Sequence, residues 1–295
     1  PAAPVMSRRV TPPPDPPPLP EGTGVVKLSS GTTGAPGGIA VSMEALLADE
    51  RALAATMGIR PGDRLLCSIP LSHSYGLSSL ALPALVRGAT LVLPDGEGPL
   101  APLHAAAACA ATVFPTVPAW LHALARLAGP PPIPPSLRTV LSAGALLPPE
   151  TAARFRARFG RPVHVFYGAS ECGGICYDRE GGAAERRTVG TPVEGVRVRI
   201  LPEPGGGTGG DREEGRVEIR SDAVALGYLP PEGSDVLGGG RFLTGDLASW
   251  RGSGTEGSGG ACGTELALTG RIHDLIHVRG NKVNPREVER VIAAM

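Results

Sequence analysis

The chain has 295 residues, enough for one large domain or two modest ones around a sizeable buried core. Its 28 Lys and Arg balance 28 Asp and Glu, which excludes a bulk field attracting nucleic acid or anionic membrane. No apolar run reaches the roughly 18 residues of a membrane span and no basic-then-apolar signal pattern opens the chain, so a cytoplasmic protein is expected.

Residues 1–22 are dominated by proline, including Pro12-Pro13-Pro14 and Pro16-Pro17-Pro18, and should form an extended polyproline linker. An apolar run at 25–28 then leads into Ser29-Ser30-Gly31-Thr32-Thr33-Gly34-Ala35-Pro36-Gly37-Gly38. Hydroxyls and glycines at this density suit a loop that wraps backbone N–H groups around phosphate oxygens, and equally a solvated connector. No Gly-Lys-Ser/Thr follows and no GxGxxG is present, so neither a Walker loop nor a dinucleotide turn is indicated.

Strand-like runs at 65–69, 90–93, 112–114, 138–142 and 163–166 then alternate with helical patterns at 42–57, 78–86, 100–110, 118–127 and 149–159. The last helix opens on Pro148-Pro149-Glu150, a proline and an acid where a helix start favours them. This alternation predicts an α/β fold with a parallel sheet, ligands collecting at the carboxyl ends of its strands. Beyond residue 188 short β runs (196–201, 216–220, 266–268, 275–278) alternate with glycine-rich loops at 205–210 and 252–263, a smaller and mostly antiparallel part. A short helix is expected over 284–295. The expected division is a linker 1–22, an α/β part 23–187, a β-rich part 188–272, and a hinge with the start of a further domain at 273–295.

Three later stretches carry chemistry. Tyr167-Gly168-Ala169-Ser170-Glu171 directly follows a strand and combines an aromatic face, a short hydroxyl and a hard oxygen ligand suited to Mg²⁺, or else is a turn with a buried Tyr. Asp246 after one tight turn and Arg271 after another would each hold ribose hydroxyls, or form a plain turn and a surface ion pair. The five cysteines (Cys67, Cys109, Cys172, Cys176 and Cys262) are odd in number and scattered, which indicates reduced thiols rather than a disulfide framework or a zinc site. A serine hydrolase built on Ser72 or Ser170 with His73 is disfavoured. Gly168-Ala169-Ser170-Glu171-Cys172 lacks the closing glycine of a nucleophile elbow, and adjacent residues point apart on an extended chain.

Taken in order, the loop 29–38, Pro70-Leu71-Ser72-His73, Ser142-Ala143-Gly144, Tyr167 to Glu171, Thr244-Gly245-Asp246, Gly270-Arg271-Ile272-His273-Asp274 and Gly280-Asn281-Lys282 with its sequel to Glu289 resemble the adenylate-forming superfamily. That group includes acyl- and aryl-CoA synthetases and peptide-synthetase adenylation domains. The resemblance implies that Ser29, Ser30, Gly31, Thr32, Thr33 and Gly34 bind the ATP phosphates, with Thr33 and Glu171 toward Mg²⁺. It implies that Tyr167 stacks on adenine, Ser170 approaches the α-phosphate, and Asp246 with Arg271 takes the ribose. His73, Gly144 and Gly168 would line the carboxylate pocket, and Asp274 would be the hinge of a mobile lid. The implied reaction joins a small acyl or aryl carboxylic acid to AMP and passes it to CoA or a carrier-protein phosphopantetheine. An acyl or peptidyl carrier protein, or a separately encoded lid domain, is the implied partner.

The chain departs from that pattern in three places. Gly37 stands where the family usually has a lysine, and Lys27 in the preceding strand is not expected to replace it. The chain stops at Met295, where the small C-terminal domain and its late lysine would follow, and a proline-rich tail occupies the place of the preceding subdomain. Nucleotide binding is therefore expected to survive better than turnover, and a non-catalytic adenylate-binding fragment is the rival reading.

Overall fold

The computed structural model describes residues 18–29, 37–96, 98, 100–129, 133–202, 214–230, 236–252, 264–272, 276–278, 281–283 and 292. A seven-stranded sheet runs in the order β4 (Thr90–Val92), β3 (Arg64–Leu66), β5 (Val113–Thr116), β6 (Thr139–Ser142), β7 (His164–Ala169), β8 (Gly173–Tyr177) and β9 (Thr191–Pro192). From β4 to β7 all neighbours are parallel, whereas β8 and β9 add antiparallel. Every residue of β5 and β6 is buried, the pattern of strands covered on both faces.

Local chemistry sets the helix ends. α1 (Met43–Met57) starts where the Ser42 hydroxyl accepts the Ala45 N–H at 3.1 Å, and it stops at Gly58, which takes the left-handed conformation with φ 66°. α2 (Ser74–Gly76), a π-helical segment (Leu77–Ala81) and α3 (Leu82–Arg87) form one continuous helix, which begins four residues earlier than the sequence pattern 78–86 predicts. The π segment turns the Ser78 hydroxyl onto Asp49 Oδ2 of α1 at 2.6 Å. α4 (Ala101–Ala108) and α5 (Pro118–Arg126) follow, the latter opened by Pro118. α6 (Pro149–Phe159) opens on Pro149 and Glu150 as its sequence predicts and closes on Gly160, and α7 (Ala183–Arg186) is a single turn.

The remaining strands are antiparallel. β1 (Thr23–Ser29), β2 (Gly37–Ser42) and β12 (Gly227–Leu229) form a three-stranded sheet in that order. β10 (Arg197–Pro202), β11 (Gly215–Arg220), β14 (Arg241–Arg251) and β13 (Leu237–Gly238) form another, with β15 (Glu265–Arg271) also on β14. β16 (Ile276–Val278) and β17 (Asn281–Val283) make a hairpin. One hydrophobic cluster joins the sheets, from Ile39 and Leu53 through Phe114 and Phe155 to Ile219 and Leu266. Among the described residues no helix is long and apolar enough to cross a membrane.

The α/β architecture with a parallel sheet followed by antiparallel β structure is as the sequence predicts; three local readings are corrected. Ser29, Gly37 and Gly38 are strand residues of the β1–β2 hairpin rather than loop, with Ser29 paired to Gly37. Tyr167 lies inside β7, not beyond its end. Asp246 and Arg271 do not follow tight turns: Asp246 is in the middle of an 11-residue strand and Arg271 ends β15. The hinge residue Asp274, the linker over 1–17, the greater part of both glycine-rich loops and, save Ile292, the 284–295 helix lie outside the described residues.

Candidate active site

Tyr167, Asp246 and Arg271 meet where strand pairing is irregular. β7 and β8 pair with a register shift between Tyr167 and Gly168. A β-carbon on Gly168 would lie 2.7 Å from the Gly173 carbonyl oxygen, so only glycine lets the two strands close at this point. β14 shifts register against β15 between Leu247 and Ala248, and leaves residues 244–246 unpaired against β11. Such bulges re-aim side chains next to functional sites.

Tyr167 Oη donates to Asp246 Oδ2 at 2.6 Å, and Arg271 Nε donates to Asp246 Oδ1 at 2.7 Å. Asp246 and Arg271 are direct cross-strand partners, so the sheet itself places their charges opposite one another. The Thr244 hydroxyl accepts the Asp246 N–H at 3.0 Å and fixes the backbone at the carboxylate. Burial first, and the Asp246 charge second, push the Tyr167 phenol well above its ordinary value, so it stays protonated and donates. Asp246 is 8% exposed, and a carboxylate with about four lone-pair directions keeps acceptor capacity beyond these two bonds.

The turn between β7 and β8 holds the second group. Ser170 Oγ accepts from Ser74 Oγ at 2.8 Å, the Ser170 carbonyl accepts from Lys27 Nζ at 3.3 Å, and Glu171 Oε1 accepts from Tyr228 Oη at 3.0 Å. The Ala225 N–H donates to the Glu171 carbonyl at 2.8 Å. Lys27 is 7% exposed, and desolvation lowers its pKa against the opposing pull of Asp49, Cys172 and Glu171. Desolvation likewise raises Asp49, although the Ser78 hydroxyl and the Gly174 N–H both bond to its carboxyl. Burial pushes the Cys172 and Cys176 thiols up, so neither is a ready nucleophile.

Other predicted residues stand apart from these contacts. His73 caps its own helix, its Nδ1 accepting the Tyr75 N–H at 3.2 Å, and the Ser170 hydroxyl pairs with Ser74 rather than an imidazole. Gly144 follows β6 with φ 85°. Ser29 closes β1, while Ser30, Gly31, Thr32, Thr33 and Gly34 lie outside the described residues. Ser74 and Tyr228 were missed by the motif reading, and Lys27, set aside there as a stand-in for the absent loop lysine, reaches the Ser170 carbonyl. A lysine inside an otherwise apolar strand, and a Gly-Tyr pair in a chain with only four tyrosines, were the available signals.

Glu171 offers a single hard carboxylate donor, which fits a divalent cation of the Mg²⁺ kind only as a partner to substrate oxygens. No group of three or more His, Cys, Asp or Glu side chains gathers among the described residues, and Glu171 Oε2 accepts no hydrogen bond there. One carboxylate oxygen completed by substrate phosphates suits Mg²⁺, which keeps waters and seldom takes an all-protein cage.

Comparison with known proteins places the chain in one family. The family model for AMP-binding enzymes matches residues 2–229. The chain is 30% identical over 288 residues to the sulfoacetate–CoA ligase of Cupriavidus necator, covering 95% of this chain and 53% of that protein. The amide bond synthetase McbA from Marinactinospora thermotolerans superposes with a TM-score of 0.76 at 33% identity, over 93% of this chain and 53% of that one. The o-succinylbenzoate CoA synthetase MenE from Bacillus subtilis, in complex with the acyl-adenylate intermediate OSB-AMP, superposes at 0.75 with 27% identity, over 92% and 53%. The chain thus spans about half the length of the relatives it matches. It belongs to the AMP-binding enzyme family.

Proposed function

We propose that this chain carries the nucleotide and acyl sites of an enzyme that activates a small carboxylic acid as its acyl-adenylate. The observation that carries the reading is the bonded series Tyr167–Asp246–Arg271 in the same neighbourhood as the Ser170–Glu171 turn. Asp246 takes the ribose hydroxyls, with Arg271 holding its carboxylate in place, and Tyr167 presents its ring to adenine. A carboxylate oxygen of the substrate attacks the α-phosphorus of ATP as the bond to pyrophosphate breaks, and the Ser170 hydroxyl lies toward that phosphate. Glu171 and Thr33 are the residues to hold Mg²⁺, which supplies positive charge against the developing phosphate charge. Two anions must meet, so positioning and fixed charge carry the step more than acid–base groups do. His73, Gly144 and Gly168 border the acyl pocket, and CoA or a carrier-protein phosphopantetheine accepts the acyl group, with a lid domain as partner.

Titration of the chain with a panel of acyl-sulfamoyl adenosines, which mimic the adenylate, tests the reading. At least one analogue should bind more tightly than ATP alone. Absence of binding by every analogue and by ATP would contradict it. Binding without carboxylate-dependent pyrophosphate exchange, even with a lid domain supplied, would favour the rival, a non-catalytic adenylate-binding module, which Gly37 in place of a lysine makes a specific alternative.

A further inference from the structure

β1, β2 and β12 carry a rung whose polar ends converge on the β7–β8 turn. Lys27 pairs with Ile39, and Ile39 pairs with Tyr228, so the three residues lie side by side across the three-stranded sheet. Directly opposed residues of antiparallel strands project from the same face. Ile39, 0% exposed, fills the centre of the rung, and the two polar residues flank it two strand spacings apart, roughly 10 Å. From one side Lys27 Nζ donates to the Ser170 carbonyl, and from the other Tyr228 Oη donates to Glu171 Oε1. The chain just before Tyr228 adds a third tie, from the Ala225 N–H to the Glu171 carbonyl.

We infer that Lys27 and Tyr228 are joint positioning residues, a two-armed clamp that holds the Ser170–Glu171 turn so that Glu171 Oε2 faces a metal-bound nucleotide. The inference rests on the nucleotide reading of this site and assigns two residues that the family motifs in the sequence do not include. A merely structural account of Lys27 fares poorly. Burying an ammonium costs several kcal/mol unless it is well paired, and among the described residues no carboxylate forms a salt bridge with Lys27. Among the described residues the single hydrogen-bond acceptor that Lys27 reaches is the Ser170 carbonyl. Asp49 and Glu171 supply compensating charge from α1 and from the turn itself. Tyr228 satisfies one carboxylate oxygen of Glu171 and leaves Oε2 without a hydrogen bond there, which a purely structural tie has no reason to do.

Calorimetric titration of the full chain with ATP plus Mg²⁺, and with AMP in EDTA, tests the clamp in Lys27→Met and Tyr228→Phe beside the unaltered protein. Each substitution is expected to weaken Mg²⁺-dependent ATP binding at least tenfold while changing metal-free AMP binding less than threefold. The double variant should fall no more than about threefold below the weaker single one, because both arms hold one turn. Thermal unfolding should show each variant still folded, with Lys27→Met lowered because the buried Asp49 carboxyl loses its nearby positive charge. Mg²⁺-dependent binding within threefold of the unaltered protein in either folded variant would overturn the clamp, as would fully additive losses. If the unaltered protein itself binds neither ATP nor AMP, the nucleotide reading fails first, and the clamp fails with it.

Discussion

The seven-stranded sheet and the antiparallel sheets beside it build the same site by different means. β5 and β6 are buried at every position and mostly apolar, their polar residues Thr116, Thr139 and Ser142 standing at strand ends, whereas β14 alternates over its first half and carries Thr244 and Asp246 among its buried residues. The first sheet provides a stiff frame from which the Tyr167–Glu171 segment emerges, and the others deliver charged and hydroxylated partners to it. Frame and partners therefore differ in what they contribute: the frame mostly stability, the partners mostly binding. Substitutions on the two sides should separate along that line.

The largest stability effect belongs to the frame. Phe155 is 0% exposed on α6, its ring 4.7 Å from that of Phe159, and Phe155→Ala should cost about 3–5 kcal/mol of unfolding free energy. Urea denaturation measures this, and a loss below about 1 kcal/mol would blur the contrast. Asp246→Ala comes next and should act mostly on binding. It orphans the buried Tyr167 hydroxyl and removes the acceptor of the Arg271 Nε–H, costing about 1–3 kcal/mol of stability. The Arg271 side chain is 59% exposed, so solvent screens most of its share. Nucleotide affinity should fall at least tenfold, read by titration, and unchanged affinity would remove Asp246 from the site.

Tyr167→Phe sharpens the comparison further, because the ring stays and the hydroxyl goes. A loss of about 0.5–1.5 kcal/mol is expected, with adenine affinity nearly kept. The smallest effect lies away from the site, where Arg186 donates to Glu265 at 2.8 and 2.6 Å and Thr188 donates to it at 2.6 Å. The Arg186 hydrogen bonds first, against a partial desolvation cost, hold the Glu265 carboxyl below its ordinary 4.5. A depressed carboxyl contributes stability above its unfolded value and loses it as pH falls through the folded one. Glu265→Gln should thus lower stability at pH 7 by less than about 1 kcal/mol, the pair being partly exposed. The gap between variant and parent should narrow as pH drops below 4.5, followed by urea midpoints across that range.

The frame was legible in the sequence and much of the partner side was not. α6 announces itself through Pro149, Glu150 and the basic last turn ending at Gly160, signals local to the helix. β2 did not, because Gly37 and Gly38 carry loop composition and become strand only by pairing with β1 on one side and β12 on the other. Thr244-Gly245-Asp246 also has turn composition, yet it stays within β14, bulging opposite β11 while Asp246 pairs with Arg271 of β15. The chemistry of Tyr167, Glu171, Asp246 and Arg271 could be listed from motif order, and the bonds Tyr167–Asp246 and Asp246–Arg271 join three of them. The contact of Lys27 with the turn was not legible because its partner lies 143 residues away, a relation no local window contains.

A structure of the chain grown with ATP and Mg²⁺ tests the central claim most directly. The account predicts ribose hydroxyls on the Asp246 carboxylate, adenine against the Tyr167 ring, and a metal on Glu171 Oε2. A nucleotide bound elsewhere, with the Tyr167–Asp246–Arg271 contacts unchanged and unoccupied, would contradict it.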